Sequence, residues 1–104
     1  MLITTTDFIP GKEITEVIDI ARGSTVRARN IGRDIFAGLK NLVGGEIDEY
    51  TNLMAEAREQ AIDRMIADAE RIGADAIINV RFMTAGVTQM ASEILAYGTA
   101  VKLK

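Results

Sequence analysis

Three carboxylates, Glu56, Glu59 and Asp63, stand three, then four residues apart, the spacing that brings side chains onto one face of a helix. With Asp48 or Glu49 from a neighbouring copy, such a face could hold a hard divalent cation such as Ca²⁺ or Mg²⁺ through oxygen ligands. The simpler reading is a solvated acidic face, because like-charged carboxylates on exposed helices are common. Met54, Met65, Met83 and Met90 could offer thioethers to Cu(I). Two of them, Met54 and Met65, lie on an apolar helical stripe, where a methionine is core filling.

Arg29 and Arg33 sit in a basic stretch that could bind an anion, next to Asn30, Ile31 and Gly32 at a helix start, where free N–H groups attract negative charge. Pairing with acids of another copy explains the same stretch. Residues 22–40 carry five basic groups and Asp34, whereas residues 41–75 carry nine acids and three arginines. Blocks of opposite sign can set register and partner choice between subunits. Arg81 and Tyr97 lie on two strands near the end of the chain and could line a small pocket at a subunit junction. Sheet packing beside Leu95 and Val101 explains Tyr97 with less.

The chain contains no cysteine and no histidine. Thiolate nucleophiles, disulfides, zinc-thiolate sites and the usual general base near neutral pH are therefore all missing. Lys12, Lys40, Lys102 and Lys104 fall at turns or ends, where a depressed pKa is not expected. There is no phosphate-binding GxxxxGK[ST] loop and no aromatic-rich strand that would make an RNA platform. Gly44-Gly45 could form an anion-binding nest, but a sharp turn between helices accounts for the pair. No catalytic constellation results, and an enzyme would need Arg81, Tyr97 and a carboxylate gathered from separate subunits.

These groups sit on a chain of 104 residues, of which 48% are apolar, enough for one domain, residues 1–104, with a real core. The start, MLITTTDFIPGK, has no basic region followed by an apolar run, and no stretch reaches the length of a membrane span. The expectation is a cytoplasmic protein with no membrane partner. The net charge of −3 argues against nonspecific nucleic-acid binding.

The elements read as two strands, two helices and two strands. Leu2 to Thr6 is extended, and Ile9-Pro10-Gly11-Lys12 fits a type II turn. Glu13 to about Ala21 is a strand in which Ile14, Val17, Ile18 and Ile20 fail to alternate, so a bulge is expected near Val17. Arg22-Gly23-Ser24 reads as a break, with Thr25 to Ala28 a short strand beyond it. A first helix starts at Asn30 and runs to Val43, stopped by Gly44-Gly45. A second runs from Asp48 to Ile72 with Tyr50, Leu53, Met54, Ala57, Ala61, Met65, Ala69 and Ile72 in one stripe and Gly73 as its C′ residue. At about 37 Å it is longer than a small domain needs, so part of it should pack against another copy.

Ala76 to Thr84 places Ile78, Val80 and Phe82 on one face and Ile77, Asn79, Arg81 and Met83 on the other. After a connection containing Gly86, Ser92 to Lys104 puts Leu95, Tyr97, Thr99, Val101 and Leu103 on one face. Ile94, Ala96, Gly98 and Ala100 take the other, whose small side chains suit close contact with a helix. Strands segregated from helices predict an α+β fold, a mainly antiparallel sheet with two helices packed on one side.

Gly44-Gly45-Glu46, Glu49-Tyr50, Ala57-Arg58, Arg64-Met65, Gly73-Ala74-Asp75-Ala76 and the closing run Glu93 to Val101 together resemble the YbjQ-like family, small bacterial and archaeal proteins often labelled heavy-metal-binding domains. Asn30-Ile31, Arg33-Asp34-Ile35 and Ala37-Gly38 fit the same pattern, so the resemblance spans nearly the whole chain. It implies a dodecin-like subunit assembled into a ring-shaped homo-oligomer, a homopentamer, with short added strands joining subunits. It implies no reaction. The heavy-metal label sits badly with a chain lacking the soft and imidazole ligands that such metals prefer. Taken together, the expectation is a non-catalytic oligomeric binding or scaffold protein whose partner is itself and whose ligand sits at subunit junctions. The alternative is a metal-binding module built on carboxylates, with a divalent ion as cofactor.

Overall fold

In the computed structural model, residues 1–28, 45–88 and 91–104 are described, with side chains for 1–26, 54–86 and 92–104. The expected first helix, Asn30 to Val43, lies outside the described residues. Among those residues the elements are β1 (Leu2–Ile3), β2 (Ile14–Ala28), α1 (Gly45–Arg71), β3 (Ala76–Thr88) and β4 (Ala91–Leu103). The strands form one sheet in the order β1-β3-β4-β2. β4 pairs antiparallel with both β2 and β3, while β1 runs parallel to β3. The sheet is therefore mixed but mainly antiparallel, in a small α+β arrangement with α1 across one face.

Local signals account for the turns. Gly11 has φ of +76°, and the Lys12 N–H donates to the Ile9 carbonyl at 3.1 Å, as a type II turn requires. At the end of α1, Gly73 has φ of +79°. Its N–H donates to the Glu70 carbonyl, and that of Ala74 to the Ala69 carbonyl, at 3.1 and 3.0 Å. This pair of bonds is the Schellman arrangement, which satisfies two otherwise orphaned carbonyls. Gly45 is the first residue of α1, and the helix that Gly44-Gly45 is expected to stop lies outside the described residues.

The small-residue stripe is the seam between helix and sheet. Ala57, Ala61, Met65 and Ala69 on α1 are fully buried, against Ala21, Ile77, Val80, Ile94, Ala96 and Ala100. Alanines on both sides let the backbones approach closely. Gly23 takes this furthest, since a Cβ there would overlap the α1 backbone at Ala61 and Met65 and lie 2.7 Å from the Arg64 carbonyl carbon. Gly23 is thus a contact point within one continuous strand, not the break that Arg22-Gly23-Ser24 suggests in sequence. Likewise Gly86 lies inside β3.

Two irregularities decide which side chains face the helix. The β2–β4 register shifts between Ile14 and Glu16 and between Val17 and Asp19. This bulged stretch around Val17 puts Ile18 against the helix-side core while leaving Val17 and Ile20 exposed. In β3 the register shifts between Ile78 and Arg81, and Asn79 adopts φ of +52°. One extra residue in a strand flips the faces beyond it. Ile77 and Val80 therefore both join the helix-side core, whereas Ile78 joins Ile9, Ala76 and Val101 on the other side. The simple alternation expected for Ala76 to Thr84 is corrected accordingly: Phe82, opposite Ala96, follows Val80, while Arg81 and Met83, opposite Tyr97 and Leu95, share the far face.

Candidate functional site

The face of the sheet turned away from α1 holds the chemistry-bearing side chains. At one end Ile9 packs with Ala76, Ile78 and Val101, and Ile14 and Leu103 pack against them. Beyond that cluster the face is bare among the described residues: Val17, Ile20, Val26 and Met83 are 64%, 60%, 54% and 56% exposed. Directly opposed residues of antiparallel strands share a face, so the register defines rows across it. One row is Ile20–Thr99–Ile78, the next is Arg22–Tyr97–Arg81, and the third is Ser24–Leu95–Met83.

Register thus brings Arg81 and Tyr97 together as neighbours. It adds Arg22 on the other flank of Tyr97, a member that sequence reading misses because strand pairing is not visible in a linear pattern. The Arg81 guanidinium is anchored through Nη1, which donates to the carbonyls of Thr5 and Val80, both at 2.9 Å. Those bonds tie the row to the segment after β1, where the Thr4 N–H donates to the Ile77 carbonyl and the Val80 N–H to the Thr4 carbonyl, at 2.9 and 3.0 Å.

On the other flank the row is tied to the helix. The Arg22 N–H donates to Asp68 Oδ2 at 3.1 Å, and Arg64 Nη1 donates to the Ser24 carbonyl at 2.6 Å. Asp68 also accepts from Arg71 Nη2 at 2.8 Å. The Arg71 hydrogen bond, followed by that from the Arg22 main chain, holds the Asp68 carboxyl below its ordinary pKa. Thr25 is 3% exposed, and its hydroxyl has no hydrogen-bond partner among the described residues; its place in a strand otherwise rich in Ile and Val gives no warning of this.

The acidic candidates are placed differently. Glu56, Glu59 and Asp63 lie on the solvent side of α1 and, with Ala55 and Gln60, line one shallow depression along that single helix. Among the described residues no three His, Cys, Asp or Glu side chains are grouped so as to hold a metal ion. Met65 is fully buried in the core and Met54 is partly buried against it, while Met83 lies on the bare sheet face. Arg29, Arg33 and Met90 are outside the described residues, as are the side chains of Asp48 and Glu49. Among the described residues no helix is long and apolar enough to cross a membrane.

The model of the YbjQ-like family, described as "Putative heavy-metal-binding", matches residues 1–104. This chain belongs to that family. A UPF0145 protein of Methanosarcina acetivorans is 59% identical over 99% of the chain and 97% of its own length. Another, from Halorubrum lacusprofundi, is 57% identical with both chains fully covered. A crystal structure of a protein with unknown function from Pediococcus pentosaceus, assigned to the DUF74 family, aligns with a TM-score of 0.66 at 20% identity, covering 100% of this chain and 98% of that one. At that identity the likeness concerns the fold alone. The side chains of this YbjQ-like chain do not fit the metal in the family description. It has neither cysteine nor histidine, and among the described thioethers Met54 and Met65 belong to the core while Met83 lies on the opposite sheet face, so the thiolate, thioether and imidazole ligands that soft and borderline metals select are not gathered.

Proposed function

We propose that this YbjQ-like chain works in the cytoplasm as a homo-oligomeric binding or scaffold protein. Its dodecin-like subunits form a closed ring, a pentamer, without a catalytic centre, and ligand binds where subunits meet. The observation that carries this reading is the bare sheet face, on which Val17, Ile20, Val26 and Met83 are all more than half exposed. Large apolar side chains exposed together on one sheet face, here on both sides of the Arg22–Tyr97–Arg81 row, support an interaction surface. A second copy is the occupant that the sequence favours, since the basic block at 22–40 and the acidic block at 41–75 are complementary.

Sedimentation equilibrium at micromolar concentration tests the reading. The wild-type chain sediments as a closed oligomer, and native mass spectrometry counts its subunits. The double variant Ile20→Glu/Val26→Glu dissociates to folded monomers, because charge on this face opposes burial. A folded wild-type monomer overturns the proposal.

A further inference from the structure

We propose that the Arg22–Tyr97–Arg81 row binds an oxyanion, a phosphate or carboxylate group carried on an apolar body. The inference deepens the junction-site reading above by naming the ligand class, and its test separates the two.

The register sets Arg22 and Arg81 opposite the same residue, Tyr97, from its two neighbouring strands. Directly opposed Cβ atoms lie about 5 Å apart, so the two arginine Cβ atoms flank the phenol at a separation of about 10 Å. Both long side chains can reach a single oxyanion above the ring, and guanidinium groups match the geometry of carboxylate and phosphate.

Packing alone explains a single arginine beside a tyrosine as a cation–π contact. It does not explain two like charges on the same bare face. Among the described residues the salt bridge is Arg71–Asp68, and neither Arg22 nor Arg81 has a carboxylate within that distance. Arg81 Nη1 is already taken by the Thr5 and Val80 carbonyls on the β1 side of the row, which leaves the Nε and Nη2 N–H groups of the guanidinium for a ligand. The Arg22 main chain is fixed by Asp68. On either side of the row, Ile20 and Met83 are exposed and Leu95 is half-buried. They give the apolar body of the ligand a surface and displace water from the charges, strengthening the pairing.

Calorimetric titration of the full chain with phenyl phosphate, benzoate, inorganic phosphate and neutral benzyl alcohol tests this. Amide shifts read by NMR locate the binding, and sedimentation of the same samples reports assembly. Phenyl phosphate or benzoate binds more tightly than inorganic phosphate, benzyl alcohol gives no saturable heat, and amides of residues 22, 81, 95 and 97 shift. The one with the lower Kd identifies the headgroup. Arg22→Gln keeps the main-chain bond to Asp68 and weakens binding by about tenfold, as loss of one charge-assisted hydrogen bond requires. Tyr97→Leu keeps apolar bulk and weakens it as well. Absence of binding by folded, assembled protein overturns the inference, as does affinity unchanged in both variants or benzyl alcohol binding equally well. Binding by a monomer overturns the ring and leaves the oxyanion site standing.

Discussion

The main-chain N–H of Arg22 donates to Asp68 Oδ2 at 3.1 Å, so a helix side chain occupies a hydrogen-bonding position that a further strand beside β2 would take. Arg64, one helical turn earlier, does the converse by donating to the Ser24 carbonyl at 2.6 Å. β2 is an edge strand among the described residues, and open edges invite pairing with other chains. Asp68→Ala should cost about 1–2 kcal/mol at neutral pH, the range for stranding hydrogen-bonded donors. The folded-state pKa of Asp68 is lowered, chiefly by Arg71. The carboxylate's contribution is therefore present above its unfolded value of about 3.9 and is lost as pH falls through the lower folded value. Urea unfolding at fixed protein concentration should show wild type and Asp68→Ala converging below about pH 4. Equal differences at pH 7 and pH 2 would refute the assignment.

Gly23 permits the closest approach of sheet to helix. Its absent side chain leaves room for main-chain atoms, which cannot rotate away as a side-chain tip can. Gly23→Ala should therefore cost about 3 kcal/mol or prevent folding, the upper range for overpacking. Gly86→Ala makes a control in the same sheet: nothing lies within 4 Å of a Cβ there, and it should change stability by less than about 0.5 kcal/mol. Parallel chemical denaturation of both variants decides the point.

What could be read from sequence divides along the reach of the interactions. The Pro10-Gly11 turn, the Gly73 cap and the Ala57-Ala61-Met65-Ala69 stripe depend on neighbours within a turn or two, so residue type and spacing reveal them. The small face of β4 is legible for the same reason. Gly23 reads as punctuation because its partner is a helix some forty residues later in the chain, at Ala61 and Met65. The Arg22–Tyr97–Arg81 row depends on pairing between distant strands and on a shift beside Asn79. Alternation alone assigns Val80 and Ile78 to one face, which the shift at Asn79 prevents.

Asn79 holds that shift in place. Its φ of +52° lies in the left-handed region, which costs most residues about 1–2 kcal/mol and which Asn and Gly tolerate. Its N–H donates to the Thr6 carbonyl at 3.0 Å, tying the irregularity to the N-terminal segment. Asn79→Val should lose about 1–2 kcal/mol, whereas Asn79→Gly should stay within about 1 kcal/mol of wild type. Because the same backbone geometry sets the face that Arg81 takes, Asn79→Val should also disturb the Arg81 amide in an NMR spectrum, and Asn79→Gly should leave it in place. A reversed order of stability would show that the left-handed geometry is not what the position demands.

For Glu56, Glu59 and Asp63 a solvated acidic face and a metal site predict effects of opposite sign. Neighbouring carboxylates along one exposed helix face repel, each like-charge contact at this spacing costing about 0.2–0.5 kcal/mol. Among the described residues they do not form, alone or with other His, Cys, Asp or Glu side chains, a group that could hold a metal ion. Replacing all three, as Glu56→Gln/Glu59→Gln/Asp63→Asn, should therefore raise the unfolding free energy by about 0.5–1 kcal/mol at low salt. The gain should shrink as salt screens the wild-type repulsion. Thermal unfolding of wild type and variant, each with and without Ca²⁺ or Mg²⁺, checks both parts. A ligated site would instead show wild type stabilised by millimolar cation through mass action and the variant unresponsive. That pattern would return the carboxylates to a binding role.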